Sequence, residues 1–326
     1  MFCFFVRSHA ASGASLSPAC LLPACRGGAE TCAQHAASLQ TGVVPGGIFD
    51  HQFLHKKLAI VPDCVFLVIQ MNRILKFSCL LLLAATLSTA HAQTFRALVL
   101  TERGGIHEPY VVAGLAWLDS VAAVHHFTFD VINDTEKIND AYLGQYQLFI
   151  QLNYPPYTWT KTAATAFEKY IADGKGGWVG FHHATLLGEF DGYPMWNWFS
   201  GFMGGIRWKN YVAKLVSGRV TVEDKKHPAM QNLPATFVID KEEWYTYDKN
   251  PRPNVHVLAS VDESTYTPKT DTTMGDHPVI WTNPAMKARN IYILMGHHPS
   301  LFRNPAYNVL VRNAILWAAG KKTRKS

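Results

Sequence analysis

Four short segments carry the side chains able to hold a proton or a cation: Gly180-Phe181-His182-His183-Ala184, Glu242-Glu243 ahead of Trp244-Tyr245, His277 before Pro278, and His297-His298 after Gly296. An imidazole changes charge near neutral pH, serves as a general base and ligates metals. Small residues two places either side of His182 give the sterics of a nucleophile elbow, with imidazole where Ser or Cys would be exposed. His183, its neighbour on that turn, is expected to point away. Glu243 beside two aromatics predicts a carboxylate against apolar surface, where desolvation raises its pKa towards an acid/base range. His277 precedes a proline and so lies in extended backbone, compatible with a cleft. His182, Glu243 and His297 would together form a three-ligand nitrogen and oxygen site with an open position, suited to Zn²⁺ or a related divalent ion that activates water. No compact His-Glu-x-x-His motif joins them, so the fold must bring them together.

Such positioning is what an open parallel sheet provides, because ligands bind at the carboxyl ends of its strands. Strand-like runs occur at 95–100, 127–131, 148–152 and 178–181, and Pro109 and Thr160 each open a stretch of helical period. Strand, helix, strand, loop, strand, helix, strand predicts an α/β parallel sheet with helices on both faces. The strand ends deposit Glu102, His107 and Glu108 after the first, Asn153 and Tyr154 after the third, and His182 and His183 after the fourth. The second half is β-rich, with strand candidates at 212–222, 237–242, 255–261, 279–282 and 291–294, and a closing helix over 306–319.

Residues 71–92 have the order of an export signal: Met71-Asn72-Arg73-Ile74-Leu75-Lys76, the apolar run from Phe77 to Leu87, then Ala90-His91-Ala92. That run is shorter than the roughly 20 residues a membrane span needs, so cleavage near Ala92 and a periplasmic or secreted location are expected, without a stable membrane anchor. Residues 1–70 then read as an upstream, disordered extension, 93–320 as one domain and 321–326 as a basic tail. All six cysteines precede residue 93, which excludes thiolate chemistry and disulfides from the domain. From residue 93 onward 24 Lys and Arg face 21 Asp and Glu, so the electrostatic footprint of a nucleic-acid binder is missing.

Gly180-Phe181-His182-His183-Ala184, Glu242-Glu243-Trp244-Tyr245, Gly275-Asp276-His277-Pro278-Val279-Ile280-Trp281 and Met295-Gly296-His297-His298, in that order, resemble the ThuA-like (trehalose utilisation) family over roughly residues 95–320. The resemblance implies a flavodoxin-like, class I glutamine-amidotransferase-like fold and a link to sugar metabolism. True amidotransferases place Cys at the elbow; His182 there argues against glutamine hydrolysis. Family members often carry Arg-His after the first-strand Gly-Gly, whereas Gly105 is followed here by Ile106-His107-Glu108, and either His107 or Glu108 could take that role.

The expected function is an exported enzyme acting on a glycoside or keto-sugar. His182, Glu243 and His297 are its candidate catalytic residues and candidate ligands of a divalent metal such as Zn²⁺. His107, Glu108, Asn153, Trp244, Tyr245 and His277 are its candidate substrate contacts. Flat aromatic faces edged by polar groups suit sugar rings, so one or two of Trp196, Trp198, Trp208, Trp244, Tyr245 and Tyr247 are expected in the cleft. A non-catalytic carbohydrate-binding or partner-docking module is the alternative. His125, His126, His227 and His256 read as surface or structural, and the sequence leaves the oligomeric state open.

Overall fold

The computed structural model describes residues 94–321. The upstream extension, the export signal and the tail beyond Lys321 lie outside the described residues. Eleven strands are described: β1 (Arg96–Thr101), β2 (Thr128–Ile132), β3 (Leu148–Leu152), β4 (Gly177–Phe181), β5 (Trp208–Tyr211), β6 (Val216–Val222), β7 (Thr236–Glu242), β8 (Tyr245–Tyr247), β9 (His256–Thr267), β10 (Pro278–Thr282) and β11 (Asn290–Ile293). The helices are α1 (Glu108–His125), α2 (Asp140–Leu143), α3 (Lys161–Ala172), α4 (Asn197–Phe202) and α5 (Pro305–Ala318).

Local chemistry sets the helix ends. Pro109 sits in the first turn of α1, where no N–H is needed, and left-handed His126 (φ 56°) closes it. The Thr160 hydroxyl accepts the Ala163 N–H at the start of α3, and Asn304 Oδ1 accepts the N–H groups of Ala306 and Tyr307 at the start of α5.

Nine strands form one sheet in the order β2-β1-β3-β4-β11-β10-β9-β6-β7, and β5 pairs with β8 separately. The first five are parallel, with β11 in fifth place. This is the flavodoxin-like order expected of a class I glutamine-amidotransferase-like domain. The remaining four strands extend it antiparallel, so the β-rich second half continues the same sheet.

The connections β1 to β2 and β3 to β4 step in opposite directions, and right-handed crossovers then place their helices on opposite faces. Gly114 and Leu118 of α1 share an apolar seam with Val311 and Ile315 of α5 over Ile150, Leu152 and Phe181. Phe199 and Phe202 of α4 pack edge-on to the fully buried Trp178, with Phe167 of α3 stacked on Phe199. Three boundaries differ from sequence expectation. The 212–222 run begins as a strand only at Val216, the paired β5 and β8 are additional, and β9 continues to Thr267. Polar Asp262, Glu263, Ser264 and Thr265 hid that extension, which pairs with β6.

His227 is structural, as expected. Its Nδ1 accepts the Ala229 N–H at 3.2 Å, and its ring stands edge-on to Trp317 of α5 at 4.4 Å. Burial lowers its pKa from 6.5 to about 4. A depressed imidazole pKa means the neutral form is the one the fold favours, so its contribution is whole above pH 6.5 and is lost as pH falls towards 4. Thermal melts from pH 7.5 to 4 should show a smaller acid-dependent drop for His227→Asn, which keeps a capping acceptor without a titrating nitrogen. Parallel curves for both proteins would contradict this.

Candidate active site

The strand ends meet as the sheet requires. His182 and His183 follow β4, His297 follows β11 across Gly296, His107 caps the amino end of α1, and Glu243 lies in the turn between β7 and β8. His182 has φ 39°, a left-handed conformation that a β-carbon makes costly and that tends to persist where function holds it. Gly296 makes the approach possible, since a Cβ there would stand 2.6 Å from His182 Cβ and 2.9 Å from Asn153 Oδ1. Asn153, itself at φ 60°, fixes that glycine by donating Nδ2–H to its carbonyl at 2.8 Å.

Four ligand-type atoms converge. Glu243 Oε2 lies 3.3 Å from His182 Nε2, 3.4 Å from His297 Nδ1 and 3.6 Å from His107 Nε2, and those last two nitrogens are 2.8 Å apart. Four ligands at about 2.0–2.1 Å from a tetrahedral Zn²⁺ stand about 3.3 Å from one another, so three of these four spacings are close to those of a metal's ligand shell. All four residues are buried.

Proton accounting makes the same point. His182 Nδ1 lies 3.0 Å from the Leu294 carbonyl, which can only accept, so the ring proton belongs on Nδ1. Nε2 then presents a lone pair to a carboxylate oxygen. A second ring proton would relieve the conflict, but burial pushes the His182 pKa down to about 3. A cation between the two atoms relieves it directly. Burial likewise lowers the His107 pKa, with Glu243 opposing.

The adjacent carboxylates behave oppositely. Burial opposes the Glu243 charge, yet hydrogen bonding to the facing imidazoles, His107 foremost, outweighs it and holds that carboxyl well below the usual range. The expected upward shift belongs instead to Glu242, which burial pushes up to about 8 while it accepts the N–H groups of Glu243 (3.0 Å) and Gly296 (3.2 Å). Of the Glu242-Glu243 pair, only Glu243 was expected to carry chemistry. Adjacent residues leaving a strand face opposite sides, which is the signal the Glu-Glu pair offered.

Of the two residues after Gly105-Ile106, His107 lies in the cluster and Glu108 faces solvent in the first turn of α1. His183 does not point away. Its ring stacks beside that of His182 (5.2 Å, 14°), and its Nδ1 lies 2.8 Å from Glu102 Oε2. His182 is fully buried where an exposed elbow side chain was expected, because Tyr245 lies over it at 4.3 Å.

Trp244 and His277 support the site without lining it. Trp244 is fully buried, stacked on Tyr266 and donating Nε1–H to the Val216 carbonyl at 3.1 Å. His277 donates Nε2–H to the Tyr245 carbonyl at 2.9 Å and pairs through Nδ1 with Glu263 at 2.8 Å, so it fixes the backbone of Tyr245. Trp208 continues the aromatic surface from Tyr245 at 6.2 Å, while Trp196 and Trp198 pack against Phe199 and Phe202. Trp244→Ala should therefore cost about 3–5 kcal/mol of stability, the usual loss for a buried large aromatic. At a temperature where it stays folded, turnover per folded molecule should fall far less than stability does. Chemical denaturation alongside active-site titration checks this, and full stability with lost activity would return Trp244 to the cleft.

A protein-family model described as ThuA, trehalose utilisation, matches residues 96–318. A structure described as a ThuA-like protein from Bacteroides uniformis is 31% identical, with a TM-score of 0.64, covering 72% of this chain and 94% of that one. A second, from Parabacteroides merdae, is 19% identical, with a TM-score of 0.53, covering 71% and 92%. No curated protein matches the chain.

Proposed function

Since this chain belongs to the ThuA family, we propose that it is a sugar-active enzyme whose His107, His182, His297 and Glu243 hold a divalent cation of the zinc type. The observation that carries this reading is the His182 Nε2 lone pair set 3.3 Å from a Glu243 carboxylate oxygen inside a buried three-imidazole cluster. Such an ion supplies Lewis-acid polarisation of a carbonyl or a bound water acidic enough to react at neutral pH. A glycoside or keto-sugar offers the oxygens it would act on.

The chain's own groups set the conditions. The Leu294 carbonyl fixes the His182 tautomer and aims Nε2 inward. Glu243 brings one negative charge, while burial favours the uncharged form of the adjacent Glu242. Tyr245, itself buried, stacks on His182 and keeps water from it. Asn153 Oδ1, buried with no hydrogen-bond partner, faces Gly296 beside the cluster. A pure binding module has no need to bury three imidazoles around a carboxylate at a desolvation cost.

Elemental analysis of the purified full chain, together with turnover of disaccharides and their keto derivatives before and after chelation, tests the reading. Retained divalent metal and chelator-sensitive turnover are expected. Metal-free protein with full activity would overturn the cation, and sugar binding without turnover would favour the module. Export is part of the proposal, with the mature protein beginning at Gln93 in the periplasm or medium. Mass spectrometry of the active protein should find that terminus, and an intact Met1 would contradict it.

A further inference from the structure

We propose that Glu102, His183 and His107 form a second divalent-cation site beside the first, a reading that rests on the cation assignment of the His182 cluster. The three residues offer ligand atoms within 4.8 Å of one another. His183 is 8% exposed and Glu102 is partly buried at the end of β1.

Glu102 Oε2 and His183 Nδ1 lie 2.8 Å apart, yet both are buried atoms that make no hydrogen bond. Contact at hydrogen-bond distance without hydrogen-bond direction means that the lone pairs aim past each other. Ligands of one metal stand in that way, crowded together but converging on a third point. Left empty, the arrangement strands a carboxylate oxygen and an imidazole nitrogen, each at a desolvation penalty that native interiors seldom leave unmet.

His107 stands at the boundary, its ring 4.1 Å from that of His183 and 4.5 Å from that of His297, steeply inclined to both. Two ions sharing His107 would require it as an imidazolate, one ring nitrogen to each and the N–H proton released to solvent, and such a pair would suit a substrate with neighbouring oxygens, such as a vicinal diol or a hydroxy-ketone. The imidazole donors favour borderline ions such as Zn²⁺ or Co²⁺ over hard ions such as Mg²⁺ or Ca²⁺.

The test is Co²⁺ and Zn²⁺ stoichiometry on the full chain, by elemental analysis after gel filtration, for the wild type, Glu102→Gln, His183→Ala and Glu243→Gln. Two equivalents in the wild type and one in each of Glu102→Gln and His183→Ala are expected. The near-isosteric Glu102→Gln decides the matter if His183→Ala does not fold. One equivalent in the wild type, unchanged by Glu102→Gln, overturns the second site and leaves the first standing. One equivalent lost in Glu102→Gln but kept in Glu243→Gln supports the second site and overturns the first. No bound metal in any of the four overturns both.

Discussion

Glu243→Gln is expected to lower kcat/KM by roughly 10³-fold or more, about 4 kcal/mol of transition-state stabilisation, and to release the bound ion. The substitution keeps shape and removes only the charge that faces His107, His182 and His297 at 3.3–3.6 Å. In the proposed site Glu243 is the one acidic ligand beside three imidazoles, and Gln removes its charge. The backbone around Glu243 is held by other groups, among them Glu242 accepting its N–H, so the melting temperature of the metal-free protein should change by only a few degrees. His297→Ala should cost nearly as much as Glu243→Gln, and the double variant little more than either. Groups that act through one bound species are strongly non-additive. Steady-state kinetics and metal content on the four proteins of this cycle check it. Additive losses would mean that Glu243 and His297 work independently and would contradict a shared site.

His182→Ala should lose activity to a similar degree and lose stability as well. The imidazole is fully buried, bonded through Nδ1 to the Leu294 carbonyl and covered by Tyr245. Its removal leaves that carbonyl unpaired, a cost of about 1–3 kcal/mol, and opens a cavity beneath the tyrosine ring. The β-carbon strain at φ 39° remains in Ala, so nothing offsets the loss. Denaturant unfolding and activity per folded molecule separate the two effects. A stability loss with turnover per folded molecule retained would make His182 a structural strut only.

The sequence exposed the parallel half clearly, because Pro109, Thr160 and the apolar runs are local signals that tertiary packing did not need to override. The same logic placed His182 and His297 at converging strand ends. Burial was not legible: nothing in the residues around His182 announces that Tyr245, 63 positions away, closes over it. The protonation states inverted for the same reason. Desolvation raises a carboxyl only where no partner answers it, and Glu242 and Glu243 differ in their partners, not in their neighbours along the chain. Trp244 and His277 were misplaced because Trp244 turns into the core against Tyr266 while Tyr245 stacks on His182, and His277 holds the Tyr245 backbone through its carbonyl. His183 escaped because alternation of adjacent side chains is a rule for strands, and His182 to Thr185 form a 3₁₀ turn.

The cation between Glu243 and the three imidazoles is tested most directly by anomalous scattering from crystals of the purified protein. Data collected above and below the zinc, cobalt and manganese edges should give a peak about 2.0–2.2 Å from His107 Nε2, His182 Nε2, His297 Nδ1 and a Glu243 oxygen. Metal-replete protein whose maps show no peak there, with the Glu243 carboxylate hydrogen-bonded directly to an imidazolium, would contradict it.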